Sequence, residues 1–494
     1  MDKTASIYAL ASTGKYFFLS RPRRFGKSLL VATLDAYFSG KKELFEGLAI
    51  SALEQEWTPY PVLRFDLTGK SYASAADLTE HLDRQLSALE QRYEVGKVYS
   101  STDIRFQSII EAAYARTGLP VVILIDEYDK PIIDNLANEA LADTFRSQLQ
   151  GFYSVMKAMD RYIRFGLLTG VTKMGKLSVF SGLNNLMDIS MDARFADICG
   201  ITEKELHQCF PDSVQQLAQT YGITTEACYA RLAKMYDGYH FCEDSPGIYN
   251  PFSLLSALNA SKFKKYWFET GTPAFLVRYL AKSHYQLEDV NGIRVNSDTL
   301  SGTNASRPSP ITLLYQSGYL TIRDYDESTD LYTLVYPNKE VEDGFLISLA
   351  DYFASATNES AQLSVYKFVE DIRSGNVQML MRRFSAFFAD MDYQIMGDDE
   401  LYFQNTMYVM LKMMGQQVQV ERHTSNGRID ALIQTDRFVY ILELKRDKNP
   451  DDALDQIEEK GYDWPFAADG RKVFKIGANF STRNHRLENW KLGE

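Results

Sequence analysis

Gly26, Lys27 and Ser28 have the residue types that a phosphate-binding turn needs, and they sit in the stretch RPRRFGKSLL, between an apolar run and a helical pattern. Backbone N–H groups at such a turn face phosphate oxygens, the lysine neutralises the β- and γ-phosphates, and the hydroxyl reaches Mg²⁺. The full pattern, G-x-x-x-x-G-K-[ST], also has a glycine five positions before the second one, and here that position is Arg21. A partner for this half-pattern lies downstream in VVILIDEYD, an apolar run ending in Asp126 and Glu127. A carboxylate pair at the C-terminal end of a buried parallel strand is where α/β folds bind ligands. Asp126 is suited to hold Mg²⁺ through water and Glu127 to polarise an attacking water. A later run, LLTGVTK, offers Thr169 or Thr172 as a γ-phosphate sensor.

Arg21, Arg23 and Arg24 admit three readings: a phosphate clamp, arginine fingers acting across the interface of a homo-oligomer, or pairing with acidic neighbours. Arg21 and Arg24 are carried as nucleotide-binding candidates. In YDGYHF the aromatic side chains suit packing better than base stacking, and His240 is a candidate nucleotide sensor.

A second constellation begins at GRID and continues in ILELK. Side chains alternate along a strand, so Glu443 and Lys445 share a face. A short turn near Thr435 to Arg437 makes the two strands a hairpin that brings Asp430 beside Glu443. Two carboxylates and a lysine on one face suit phosphodiester hydrolysis: the acids hold Mg²⁺ and the lysine orients water. Lys445, Arg446, Lys448, Arg471, Lys472, Lys475, Arg483 and Arg486 supply local positive charge for a phosphate backbone.

These groups must be positioned by two α/β units. Strand candidates KYFFLS, YPVLRFDLTG, LPVVILIDEYD and IRFGLLTGV alternate with helical patterns, the form of a parallel sheet. From about Ile201 the pattern is helical, with a capped start at Thr202. The stretch NGIRVNSDTLSGTNASRPSP reads as an exposed loop or polar hairpin. Near the C-terminus, the helix DDELYFQNTMYVMLKMMG, the strands QVQVER, GRIDALIQT and RFVYILELKR, the helix PDDALDQIEEKGYDW and the strand RKVFKIGANF give an α-β-β-β-α-β order. The expected fold class is α/β: a parallel-sheet core with the phosphate-binding turn over 1–200, a helical lid and mixed linker over 201–383, and a separate α/β domain over 384–494, the first resembling a P-loop NTPase core and the last a restriction-endonuclease-like domain.

At 494 residues the chain is too long for one core. No uncharged apolar run reaches the ~18 residues of a membrane span, and no basic, apolar leader opens the sequence, so the expected compartment is the cytoplasm. The four cysteines are irregularly spaced, which argues against a zinc knuckle or a disulfide framework. A net charge of −12 argues against a general polyanion binder, though not against a local basic groove.

The strings DKTASIYAL, YFFLSRPRRFGKSLL, VVILIDEYDKPI, LTGVTK, FSGLNNLMDIS, YDGYHF, YNPFSLL and TGTPAFL together resemble the bacterial AAA-ATPase-like proteins, in which a P-loop ATPase precedes a nuclease-like domain. The resemblance spans almost the whole chain and includes RPRRFGKS itself, so it implies ATP binding with Arg21 in place of the first glycine. The C-terminal pattern resembles the PD-(D/E)XK nuclease superfamily, which implies auxiliary roles for Glu400 and Gln456. The resulting expectation is an ATPase coupled to a Mg²⁺-dependent nuclease on DNA or RNA, fitting a role against mobile DNA. The alternative is a regulatory ATPase switch whose nuclease-like domain binds nucleic acid or protein without cutting.

Overall fold

The computed structural model describes every residue except 98, 137, 174–184, 270–275, 278, 281–290, 303–308, 354–360, 390–408, 411, 413–418, 425–426, 469, 482, 484–485 and 494. The chain divides into two compact units, Met1–Tyr279 with Asp289–Glu342, and Leu280–Glu288 with Asp343–Glu494. The region read as 201–383 is shared between them.

The first unit is built on five parallel strands: β1 (Tyr16–Ser20), β2 (Val62–Asp66), β3 (Val121–Asp126), β4 (Ile163–Gly170) and β5 (Met187–Asp188), in the order β2-β3-β4-β1-β5. Every residue of β1 and β3 is buried, which explains why these strands read as unbroken apolar runs rather than alternating ones. The strand that ends in the phosphate-binding turn and the one that ends in Asp126 are not neighbours, because β4 lies between them. Thr169 on β4 therefore falls between the two halves of the site.

The two-residue strand β6 (Ile201–Thr202) leads into helices from Glu203 to Ala260, which a second such strand, β7 (Ile248–Tyr249), interrupts. They bury Leu206, Val214, Leu217, Leu232, Tyr236 and Leu254 in a common core. The expected cap is present: the Thr202 hydroxyl accepts from the Glu205 N–H at 3.2 Å, and the Glu205 carboxylate accepts the Thr202 N–H in return. The stretch read as an exposed loop or polar hairpin around residue 295 contains a strand and a short helix among its described residues. It forms β8 (Ile293–Asn296) and the helix Ser297–Ser301, and β8 is one edge of an antiparallel sheet with β9 (Thr321–Asp326) and β10 (Leu331–Val335), ordered β8-β10-β9. Its polarity misled because only Val295 of the strand is buried.

In the second unit the helices Ala361–Ser374 and Val377–Ala389 precede a five-stranded sheet of β11 (Gln419–Thr424), β12 (Gly427–Gln434), β13 (Phe438–Arg446), β14 (Lys472–Ser481) and β15 (Arg486–Leu492), ordered β11-β12-β13-β14-β15. The β13–β14 pair is parallel, with the helix Pro450–Glu459 as crossover, and the other pairs are antiparallel. The helix expected over 398–415 lies almost entirely outside the described residues. The four cysteines are free, and among the described residues no helix is long and apolar enough to cross a membrane.

Candidate functional site

Each unit carries one constellation. In the first, β1 runs into a turn where Arg24 (φ 68°) and Gly26 (φ 92°) are left-handed, and Gly26 caps the helix Lys27–Phe38. Glycine adopts that conformation without steric cost, and the helix start then presents backbone N–H groups to an anion. Gly26, Lys27, Ser28, Arg24 and Glu127 line one cleft of about 930 Å³. The Lys27 ammonium is nearly sealed from solvent. It donates to the carbonyls of Arg21 (3.0 Å) and Pro22 (3.2 Å) and lies 3.1 Å from Glu127 Oε1.

The residues of IDEYD divide the work at the end of β3. Asp126 is fully buried; its Oδ1 accepts from the Thr169 hydroxyl at 2.6 Å, and its Oδ2 has no hydrogen-bond partner among the described residues. Glu127 takes a left-handed φ of 54°, unusual for a residue with a side chain, and reaches the cleft. Asp129, which the sequence reading passed over, accepts from the N–H groups of Val171 (3.2 Å) and Thr172 (2.6 Å) and from the Thr172 hydroxyl (2.8 Å). Burial first, and then the charge of Glu127, raises its pKa above the usual carboxylate range. Asp129 thus ties the turn after β3 to the end of β4. A Cβ on Gly170 would come within 2.6 Å of both the Asp129 carboxylate and the Tyr128 ring, so this approach requires glycine.

Three sets of nucleotide-site candidates lie away from the cleft lining. The Arg21 guanidinium does not face the cleft: it donates to the carbonyls of Ser20 (3.0 Å), Ser190 (2.8 Å), Phe195 (3.1 Å) and Ala196 (3.4 Å) and lies 3.9 Å from the Phe241 ring centre. It is a buried strut at the entry to the turn. Thr169 and Thr172 are also fully buried, and each hydroxyl donates to a carboxylate, Asp126 or Asp129, rather than opening on the cleft. His240 is outside the cleft lining, with Nδ1 2.9 Å from the Ser245 carbonyl. The neighbouring aromatics pack on Phe25, Tyr239 at 4.7 Å and Phe241 at 5.4 Å between ring centres. Arg24 does line the cleft, its guanidinium 5.0 Å from the Phe252 ring.

The turn is held from outside by residues with no motif of their own. The Trp267 indole N–H donates to the Arg23 carbonyl (3.2 Å), and the Trp267 backbone N–H donates to Glu340 (2.9 Å). Gly318, at φ 88°, lies so close to Pro22 that a Cβ there would approach its ring to 2.6 Å.

In the second unit β12 and β13 form the expected hairpin, turning at 435–437, with Ala431 opposite Leu442. One step on, Asp430 falls opposite Glu443. Glu443 is buried at 4% exposure; its Oε1 accepts from Lys445 Nζ (3.4 Å) and from the Gln456 amide, whose own oxygen accepts from Lys445. Asp430 accepts the Leu444 N–H at 2.7 Å. Burial, and then the charge of Asp430, pushes the Glu443 carboxyl up to about 7, with Lys445 opposing. Glu443 Oε2 is buried with no hydrogen-bond partner among the described residues.

A buried carboxylate oxygen without a donor, beside a second carboxylate, fits a hard divalent cation that completes its shell with water or phosphate oxygens. The described residues contain no group of three metal-ligating side chains, and Glu400 lies outside them. Of the basic residues near the strand ends, Arg471 donates to the Thr435 carbonyl and to Gln434, and Lys475 pairs with Glu458 and Asp463. Part of the expected groove charge is therefore engaged locally.

A family profile described as "Predicted AAA-ATPase" matches residues 1–180, and one for the PD-(D/E)XK nuclease superfamily matches 398–490. A relative in Azotobacter chroococcum mcd 1, "Uncharacterized protein in vnfD 5'region", is 34% identical over 495 aligned positions, covering 97% of this chain and 92% of its own. The chain belongs to the AAA-ATPase-like family. Its C-terminal unit carries the PD-(D/E)XK nuclease superfamily domain. Among solved structures, the Aeropyrum pernix ORC2 protein (ADPNP-ADP complexes) aligns at 10% identity with a TM-score of 0.30, over 70% of this chain and 91% of that one.

Proposed function

We propose that this chain hydrolyses ATP at the Lys27 cleft and uses the second unit as a Mg²⁺-dependent phosphodiesterase on DNA or RNA, with ATP turnover licensing the cut. At the first site, Lys27 exchanges its contacts with the turn carbonyls and Glu127 for the β- and γ-phosphates. Backbone N–H groups at the start of the helix hold the phosphate oxygens. Ser28 and Asp126 are the residues that would hold Mg²⁺, and Glu127, freed from Lys27, takes the proton of the attacking water.

At the second site, Asp430 and Glu443 would hold Mg²⁺, which when bound neutralises charge on the scissile phosphate. Lys445 is positioned by Gln456 and Glu443, so that its ammonium can orient a water or meet the charge developing on phosphate oxygen. The observation that carries the nuclease reading is the unpartnered oxygen of Glu443, aligned with Asp430 and flanked by Lys445. A role against mobile DNA agrees with an ATPase and a nuclease module in one chain.

The test is incubation of the full chain with plasmid, single-stranded DNA and RNA, in Mg²⁺ or Mn²⁺, with and without ATP. Cleavage that needs metal and increases with ATP is the expected result. ATP turnover and nucleic-acid binding without cleavage in any metal would make the chain a regulatory switch instead.

A further inference from the structure

Trp464 is 69% exposed, the most exposed aromatic side chain among the described residues. The helix that supplies Gln456 ends at Glu459, and Gly461 turns the chain in a left-handed conformation (φ 59°). Tyr462 then goes inward. It is buried in one cluster with Leu432 and Ile441 and hydrogen-bonded with Gln456, whose amide donates to Glu443 Oε1.

Two residues later Trp464 goes outward. A Cβ on Gly461 would meet the indole at 2.5 to 2.8 Å through Cδ2, Cε2 and Cε3, so the ring lies close over the Gly461 backbone. One side of the indole is thus seated on glycine while much of the ring remains open to solvent. The Trp464 backbone N–H donates to the Gly461 carbonyl at 3.2 Å and fixes the turn that carries the ring. Two residues of chain span at most about 7 Å, so the Trp464 Cα lies within that distance of the Cα of Tyr462, whose hydrogen-bond partner Gln456 also bonds Glu443.

We propose that Trp464 is a stacking platform for an unpaired nucleobase beside the phosphodiester site, so that the strand delivered to Asp430 and Glu443 is single-stranded or locally unpaired. The proposal rests on the nuclease reading and adds the class of substrate. In a duplex both faces of a base are taken by its neighbours, so an indole can stack only on a base that is unpaired, terminal or turned out. An aromatic face also accepts any base, which predicts strand selectivity without sequence selectivity.

The test is fluorescence anisotropy of the full chain in EDTA, which permits binding and prevents cutting. The probes are a labelled mixed-sequence single strand, its duplex, and an abasic strand of equal length. The wild type should bind the single strand more tightly than either other probe. Trp464→Ala should weaken single-strand binding by roughly five- to a hundredfold, leave duplex and abasic binding unchanged, and so abolish the preference; Trp464→Phe should restore most of it. Unchanged single-strand binding in Trp464→Ala, or an equal loss on all three probes, overturns the proposal while leaving the nuclease reading intact. A wild type that binds and cuts none of these probes in any metal overturns both.

Discussion

Replacing Glu340 by glutamine should stabilise the first unit at neutral and alkaline pH and leave its nucleotide site undisturbed. Glu340 is 1% exposed, and burial pushes its carboxyl up to about 7; N–H groups of Trp267 and Tyr266 and the Ser253 side chain oppose the shift. The folded state therefore holds this proton more tightly than the unfolded chain, where a glutamate titrates near 4.5. Its stabilising contribution is complete below about pH 4.5, declines as pH rises, and is gone above about pH 7. At 1.36 kcal/mol per tenfold change in proton affinity, the full loss is about 3 kcal/mol. Glutamine has no proton to lose, and its amide oxygen can still accept from the Trp267 N–H. Thermal unfolding of wild type and Glu340→Gln should coincide near pH 4.5, separate up to about pH 7 and then run parallel, with the variant melting a few degrees higher. The KM for ATP should stay the same, because Trp267 keeps its hold on the Arg23 carbonyl. A difference in melting temperature that does not change with pH, or one that falls as pH rises, would refute the reasoning.

Lys27→Ala should abolish ATP hydrolysis with the fold retained, whereas Glu127→Gln should keep ATP binding in calorimetry and slow turnover, since the amide cannot accept the water's proton; turnover by Lys27→Ala at the wild-type rate would remove the P-loop assignment. Asp430→Ala and Glu443→Ala should lose metal binding and cleavage together and keep ATPase activity, while Lys445→Ala should keep metal binding and lose cleavage; undiminished cutting by Asp430→Ala would leave the nuclease without its site. A fragment over 343–494 should fold and one starting at 384 should not, as judged by circular dichroism. The shorter piece discards Ile372, whose carbonyl accepts the buried Tyr440 hydroxyl at 2.6 Å, and Gly375, against which the Phe438 ring is packed.

What could be read in the sequence was the chemistry that neighbouring residues carry together. Gly26-Lys27-Ser28 and Asp126-Glu127 are contiguous, and the buried strands before them announce themselves by unbroken apolar runs. The Asp430–Glu443 pairing was readable because a three-residue turn fixes the register of its hairpin. Strand β15 was missed for the converse reason: the register shifts between Asn479 and Phe480, so Leu487, Trp490 and Leu492 do not alternate cleanly along it. The role of Arg21 was unreadable because its side chain meets carbonyls about 170 residues away in the chain. Asp129 stood in plain view, but its partners, Val171 and Thr172, are brought near only by the parallel pairing of β3 with β4.

The absent first glycine and the uninterpreted middle of the chain explain each other. In the usual pattern glycines let the loop backbone approach the phosphates, and helix and sheet hold its shape. Here the entry to the turn is restrained residue by residue: the Arg21 side chain is fixed by four carbonyls, Pro22 lies against Gly318, and the Arg23 carbonyl is held by the Trp267 indole. Trp267 is in turn held by Glu340. A turn restrained in this way has little conformational freedom left to lose when phosphate arrives, which offsets the flexibility a glycine would have given. The sequence around Trp267, Gly318 and Glu340 carries no motif because each acts through a single tertiary contact whose partner is distant in the chain. Glycine at position 21 would accordingly weaken the nucleotide site, although it completes the sequence pattern, because it removes the four hydrogen bonds by which the Arg21 side chain fixes the entry to the loop.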